Sequence, residues 1–279
     1  MDFVEANGLR FAYLSEGSGP LVLLLHGFPD TAHTWDRVMG EVARAGFRAV
    51  APFMRGYHPT AIPKDGAYDG DTLGRDVLAL IEALGEKQAI VIGHDWGALA
   101  AYTAASLGPE HVRLLITLGV PHPGSILPTP KMLWSVRHFL VLRGKRAAAN
   151  VRANSHAYVD HLVRRWSPAW RDMPAEETAR VKQAFAEPGV VEAACGYYSA
   201  LKLSVPASLR ARINVPAVAF AGMHDNVSFG QYERARRRFG KSYEVVKVPG
   251  GHFMHREHPN ELIAELLRVL RAAADQARS

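Results

Sequence analysis

The sequence predicts an α/β fold: a mostly parallel central sheet, flanked by helices and interrupted by a helical insertion. Three observations carry this. Short, almost wholly apolar runs recur along the chain, helical periodicity fills gaps between them, and the stretch from about Pro123 to Ala211 has no strand-like run. Runs apolar throughout, rather than alternating, belong to strands covered on both faces, as in parallel sheets.

Phe3–Ala6 and Leu9–Leu14 read as an antiparallel start. LVLLLHG (21–27), RAVAPF (48–53) and AIVIG (89–93) follow as buried strands. In TLGRDVLALIEAL, the residues Leu73, Val77, Leu80, Ile81 and Leu84 fall on one helical face. The helix that follows GHDWGA stops at Leu107-Gly108-Pro109. LLITLG (114–119), AVAFAG (217–222) and YEVVKV (243–248) complete the strands, and a last helix starts near Pro259 with Leu262, Ile263, Leu266 and Leu267 inward. The insertion is rich in aromatic residues: Trp134, Phe139, Tyr158, Trp166, Trp170, Phe185, Tyr197 and Tyr198. Pro128, Pro130, Pro168, Pro174 and Pro188 cut it into short helices. It is expected to lie over one edge of the sheet as a cap inserted after the sixth strand, over residues 123–211, leaving 1–122 and 212–279 as the core.

Composition narrows the class. A chain of 279 residues with 48% apolar content can bury a full core. One cysteine, Cys195, excludes an internal disulfide framework and fits a reducing compartment. MDFVEANGLRF has neither the basic nor the apolar region of a signal peptide, and LVLLL is far too short to span a bilayer. A cytoplasmic protein with no membrane partner is expected. The net charge of +6 is spread along the chain, without the motifs of a nucleic-acid binder, so it reads as a solvated basic surface. Arg234, Arg236, Arg237 and Arg238 are expected along the outer face and end of one surface helix.

The chemistry concentrates after strands. HGFPD (26–30), GHDWG (93–97), GMHD (222–225) and GGHFMHREHP (250–259) each follow an apolar run. In an open α/β sheet, loops beyond the carboxyl ends of the strands converge on the ligand site. Gly-x-nucleophile-x-Gly between a strand and a helix is a nucleophile elbow, and here its centre is Asp95. A nucleophile, an acid and a histidine then occur in the order Asp95, Asp225, His252.

Together these segments resemble the α/β-hydrolase superfamily, in its aspartate-nucleophile branch of epoxide hydrolases and haloalkane dehalogenases. HGFPD, RGY (55–57), GHDWGA, GMHD and GGHFMHREHP carry the resemblance, over roughly residues 1–122 and 212–275, with a looser match in the cap. A carboxylate, ionised at neutral pH, can attack an sp³ carbon that bears a good or strained leaving group. The expected product is an ester of Asp95, hydrolysed by water that His252 deprotonates while Asp225 holds the imidazole. The N–H groups of Phe28 and Trp96 would form the oxyanion hole, and neither a metal nor an organic cofactor is needed.

Other readings of these residues are blander. Asp95 could be only a helix N-cap and Asp225 only a turn former, while Asp71, Asp76 and Asp172 have no comparable setting. No acid occurs in LGVPHPG, where some dehalogenases keep their third member. His255 and His258 read as polar surface residues, and His26 and His94 as structural around the oxyanion loop and elbow. HFMH lacks further ligands for a metal site.

Opening an epoxide produces an alkoxide that needs a proton. The resemblance implies two cap tyrosines for this. Tyr198 stands at one position as the expected proton donor, with Tyr197 beside it as a fallback; the other position holds His138, which as a histidine can also donate a proton or hydrogen bond. Haloalkane dehalogenases carry Asn where this chain has Phe28, and haloacetate enzymes carry arginines where it has Trp96 and Leu99. Epoxide hydrolysis therefore leads, with haloalkane dehalogenation as the alternative; the expected substrate is a small apolar epoxide or halogenated compound, with water. A receptor built on the same fold should have lost part of this set.

Overall fold

The computed structural model describes residues 1–127, 130–201 and 205–276, with Pro128 outside them. Eight strands form one sheet: β1 (Asp2–Ala6), β2 (Leu9–Glu16), β3 (Leu21–Leu25), β4 (Arg48–Pro52), β5 (Ala89–His94), β6 (Val112–Leu118), β7 (Ala217–Gly222) and β8 (Tyr243–Val248). Their order is β1-β2-β4-β3-β5-β6-β7-β8, and only β2 runs against its neighbours. Every residue of β3 and β5 is buried, which is why these strands read as unbroken apolar runs rather than alternations. Val22 lies beside Ile90, Ile92 beside Ile116 and Leu118 beside Phe220, so branched side chains stack through the centre of the sheet.

Helices α1 (Asp36–Arg44), α2 (Gly70–Ala83) and α3 (Trp96–Leu107) cross over between the early strands. The α2 face expected from the sequence is the buried one, with Leu73, Val77, Leu80 and Ile81 inward. Its first turn is capped by Asp69, whose carboxylate accepts the N–H groups of Asp71 and Thr72 at 3.1 Å. Between β6 and β7 the described residues hold no strand. They form α4 (Pro130–Ser135), α5 (His138–Arg143), α6 (Ala147–Trp166), α7 (Ala179–Ala186) and α8 (Val190–Ala200), with single helical turns between. The helix α6 is broken at Ala153–His156, where Asn154, Ser155 and His156 take positive φ. The chain ends with α9 (Phe229–Ala235), α10 (Met254–Glu257) and α11 (Pro259–Gln276), which buries Leu262 and Leu266.

Two expectations need correction. Arg234, Arg236 and Arg237 are exposed along and beyond the end of α9, as expected, but Arg238 is half-buried and donates to the carbonyl of Gly124 at 3.1 Å. His255 is not a surface residue. It is buried, with Nε2 2.6 Å from the Thr34 hydroxyl and its ring stacked on Trp35. His258 is the more exposed of the two.

Candidate active site

Because β3, β5, β7 and β8 are parallel, the loops that leave their carboxyl ends meet on one side of the sheet. The turn after β5 presents Asp95 with φ 52° and ψ −116°, a conformation that side chains rarely adopt. It exists because two glycines let backbone meet backbone. A Cβ on Gly93 would stand 2.2 Å from the Gly97 carbonyl oxygen, and one on Gly97 2.2 Å from that of Leu25. The loop after β3 passes equally close, since a Cβ on Gly27 would lie 2.4 Å from the Asp95 Cβ.

This approach delivers the N–H of Phe28 to Asp95 Oδ1 at 2.8 Å. Trp96 opens α3, so its N–H is among the first-turn donors that have no intrahelical acceptor. His26 holds the loop from below: its Nε2 accepts from the Met54 N–H at 2.9 Å, which leaves Nδ1 to donate to the Gly27 carbonyl at 3.0 Å. Burial lowers the His26 pKa to about 4, so the ring is neutral there.

Asp225, in the turn after β7, and His252, in the loop after β8, complete the group. His252 Nδ1 is 3.3 Å from Asp225 Oδ2, and its Nε2 is 3.5 Å from Asp95 Oδ2. Burial works against a charged His252, but Asp225 first and Asp95 second outweigh it and raise the pKa to about 10. Burial also works against ionised Asp95, yet His252 and the Phe28 N–H hold its pKa below the ordinary carboxylate value. The imidazolium therefore bridges two carboxylates. Both backbone ends of His252 are fixed, its N–H donating to the Trp166 carbonyl and its own carbonyl accepting from His94 Nε2, each at 3.0 Å.

The insertion closes the site with aromatic rings. Tyr198 packs edge-on against Trp96 at 5.0 Å and Phe28 at 5.2 Å, and lies 5.9 Å from His138. Trp166 stands 5.5 Å from His252. Burial and then the charge of Asp95 push the Tyr198 phenol well above its usual pKa, with Trp96 opposing. Tyr197, its neighbour in sequence, donates its hydroxyl to the Arg55 carbonyl at 2.8 Å and so has no proton free for the site.

His138 is brought to the site but not as a donor. Its Nδ1 lies 3.0 Å from the Ser135 carbonyl, which can only accept, so Nδ1 carries the hydrogen. Burial lowers its pKa to about 4, so the ring is neutral and Nε2 offers a lone pair. Among the described residues no cluster of His, Cys, Asp or Glu could hold a metal ion, and no helix is long and apolar enough to cross a membrane.

Sequence reasoning missed the supports around the site. Arg55 and Asp76 form a buried ion pair at 2.6 Å, joined by Asn7 at 2.7 Å. Arg256 bonds Asp30 of the loop after β3 at 3.1 Å and Glu177 of the insertion at 3.0 Å. Arg55 lies in RGY and Arg256 in GGHFMHREHP, but spacing alone assigns them no partner.

The model of the alpha/beta hydrolase fold family matches residues 20–259. The chain is 30% identical to the AB hydrolase superfamily protein YfhM of Bacillus subtilis (strain 168), over 95% of this chain and 97% of that protein. It is 27% identical to epoxide hydrolase A of Mycobacterium tuberculosis, over 96% of each. An epoxide hydrolase of Bacillus megaterium, solved in complex with an inhibitor, superposes with a TM-score of 0.87 at 24% identity, covering 97% of this chain and all of that one. At that identity the likeness speaks to the fold.

Proposed function

Because the chain belongs to the α/β hydrolase family, we propose that it is an epoxide hydrolase working through an ester of Asp95. The observation that carries this reading is the position of the Asp95 carboxylate, with one oxygen on the Phe28 N–H and the other facing His252. Its relatives named as epoxide hydrolases support the choice of substrate. Residues 1–122 and 212–279 serve as the core and 123–211 as the cap. The same reading takes the enzyme as cytoplasmic, where an unpaired Cys195 is stable.

Asp95 Oδ2 attacks a ring carbon; a C–O ester bond forms as the ring C–O bond breaks, and the electron pair passes to the ring oxygen. Tyr198 gives that oxygen its proton and is left as a phenolate. Forming the ester removes the charge of Asp95, one of the two anions that raise the His252 pKa. The imidazolium then loses its proton toward the phenolate, and neutral His252 takes a proton from water as that water attacks the ester carbonyl. Oδ1, already on the Phe28 N–H, carries the negative charge of this step, with the Trp96 N–H as second donor. Collapse breaks the C–O bond to the substrate; the departing alkoxide takes the proton that water left on the Asp95 carboxyl, relayed through His252, so that the vicinal diol leaves and Asp95, His252 and Tyr198 regain their starting states. The aromatic lining suits an apolar epoxide.

One observation favours a second reading. The Trp96 indole N–H is buried, facing the Tyr198 phenol without a well-formed hydrogen bond, and a departing halide would use such a donor. The same nucleophile and ester would then serve a haloalkane dehalogenase. Incubation with aryl and alkyl epoxides and with bromoalkanes, scored by diol and halide release, separates them. Halide release without diol formation overturns the epoxide reading.

A further inference from the structure

The outward face of α4 and α5 is an unusual surface. Only Val136 and Arg137 separate the two helices; Trp134, Arg137, Leu140 and Arg143 follow one another at three-residue spacing, with Leu133 beside Trp134. Leu140 is 80% exposed, Trp134 68% and Leu133 59%. The inward face of α5 is already supplied by His138 and Leu142, both buried, so packing does not explain the outward leucines. Arg137 lies over the Trp134 ring, 3.9 Å from its centre, and holds the Trp134 carbonyl at 2.9 Å.

Charge along this segment of the chain is one-signed, although Arg152 pairs with Glu192 of α8. Between Glu110 and Asp160 the chain has no acidic residue and seven lysines and arginines. Arg143, Lys145 and Arg146, at the end of α5, are exposed.

We propose that this face docks the protein on an anionic lipid surface, with Leu133, Trp134 and Leu140 entering the headgroup layer and Arg137, Arg143, Lys145 and Arg146 meeting lipid phosphates. Bulky apolar side chains set among guanidinium groups are the pattern of interfacial helices. A second copy fits less well, because a two-fold contact over this face would bring its arginines against their own copies. A nucleic acid would use the charges but not the exposed leucines. The docking is peripheral. It also has a use: α5 presents Leu140 outward and His138 toward Tyr198, so a lipid-soluble substrate would meet the cap at an element that lines the site.

The test uses the whole protein and reads binding rather than turnover, so it stands or fails apart from the epoxide reading. Co-sedimentation is measured with vesicles of phosphatidylglycerol mixed with phosphatidylcholine, and with phosphatidylcholine alone. Each basic residue at an anionic surface is worth about fivefold in partitioning, so R143E/K145E/R146E should lose at least about 100-fold. L140D should lose about tenfold by removing one inserted side chain. Brominated lipid should quench wild-type emission more than that of W134F. Binding to the mixed vesicles that falls in both variant sets, at unchanged circular dichroism, supports the proposal. Absence of binding, equal binding to phosphatidylcholine alone, or binding indifferent to L140D overturns it. So does a solution dimer that L140D dissolves, or tighter binding to a DNA duplex than to the vesicles.

Discussion

The N–H of Phe28 holds Oδ1 of Asp95 at 2.8 Å. This contact joins the ends of two neighbouring parallel strands and occupies one carboxylate oxygen with a backbone donor while the other faces His252. It depends on backbone packing around Gly27, Gly93 and Gly97 rather than on any property of the aspartate.

Replacing Asp95 by Ala should therefore leave the fold intact and cut turnover by about 10⁴-fold or more, as loss of a nucleophile does. Gly97→Ala should do the reverse damage. Its Cβ meets the Leu25 carbonyl, and urea unfolding should register a loss of about 2–3 kcal/mol. A folded Asp95→Ala enzyme with near-native activity would remove the mechanism.

His252→Gln should still be alkylated but fail to turn over. Intact-protein mass spectrometry should find an adduct of one substrate mass, mapping to the peptide that contains Asp95. An adduct elsewhere, or normal turnover, counts against the assignment of the base.

The charged trio also predicts a pH dependence of stability. Against burial, Asp225 and Asp95 raise the His252 pKa from 6.5 to about 10 on folding. The stabilisation from the imidazolium is thus complete below pH 6.5 and lost as pH rises through about 10. Urea midpoints of wild type and His252→Gln should converge across that window. A gap that widens with rising pH would contradict the bridged arrangement.

The two adjacent tyrosines should behave differently. Tyr198→Phe should slow alkylation by an epoxide about 10²- to 10⁴-fold, the usual contribution of a general acid. Tyr197→Phe loses a bond to the Arg55 carbonyl and should cost about 1 kcal/mol of stability with little change in alkylation. His138→Phe, having no proton to give, should slow alkylation less than about tenfold. Stopped-flow alkylation rates check all three, and a wild-type rate in Tyr198→Phe would defeat its role.

Arg256 ties the His252 loop to the loop after β3 and to the insertion. Arg256→Ala leaves Asp30 buried without its partner and should cost about 3–5 kcal/mol in urea unfolding. Burial already raises the Asp30 pKa despite the arginine, so Asp30→Asn in the Arg256→Ala background should recover part of the loss. No recovery would mean that the buried charge is not the cause.

What the sequence determined by itself is what short stretches of chain can encode. Eight strands, the amphipathic face of α2, the elbow and the strand-less insertion follow from local apolar patterning and from glycines that a tight turn requires. The candidate residues Asp95, Asp225 and His252 were legible because parallel strands send successive loops to one edge. Tertiary structure decided which polar groups remained free. Tyr197 and Tyr198 point about 100° apart on one helix, so one hydroxyl is consumed by the Arg55 carbonyl and the other ring sits over Phe28 and Trp96. The protonated nitrogen of His138 is set by the Ser135 carbonyl, and His255 is buried by a bond to Thr34, 221 residues away. A side chain's donor, acceptor or charged state depends on what folding sets beside it and how much water folding removes, and neither is written in the residue's own neighbourhood.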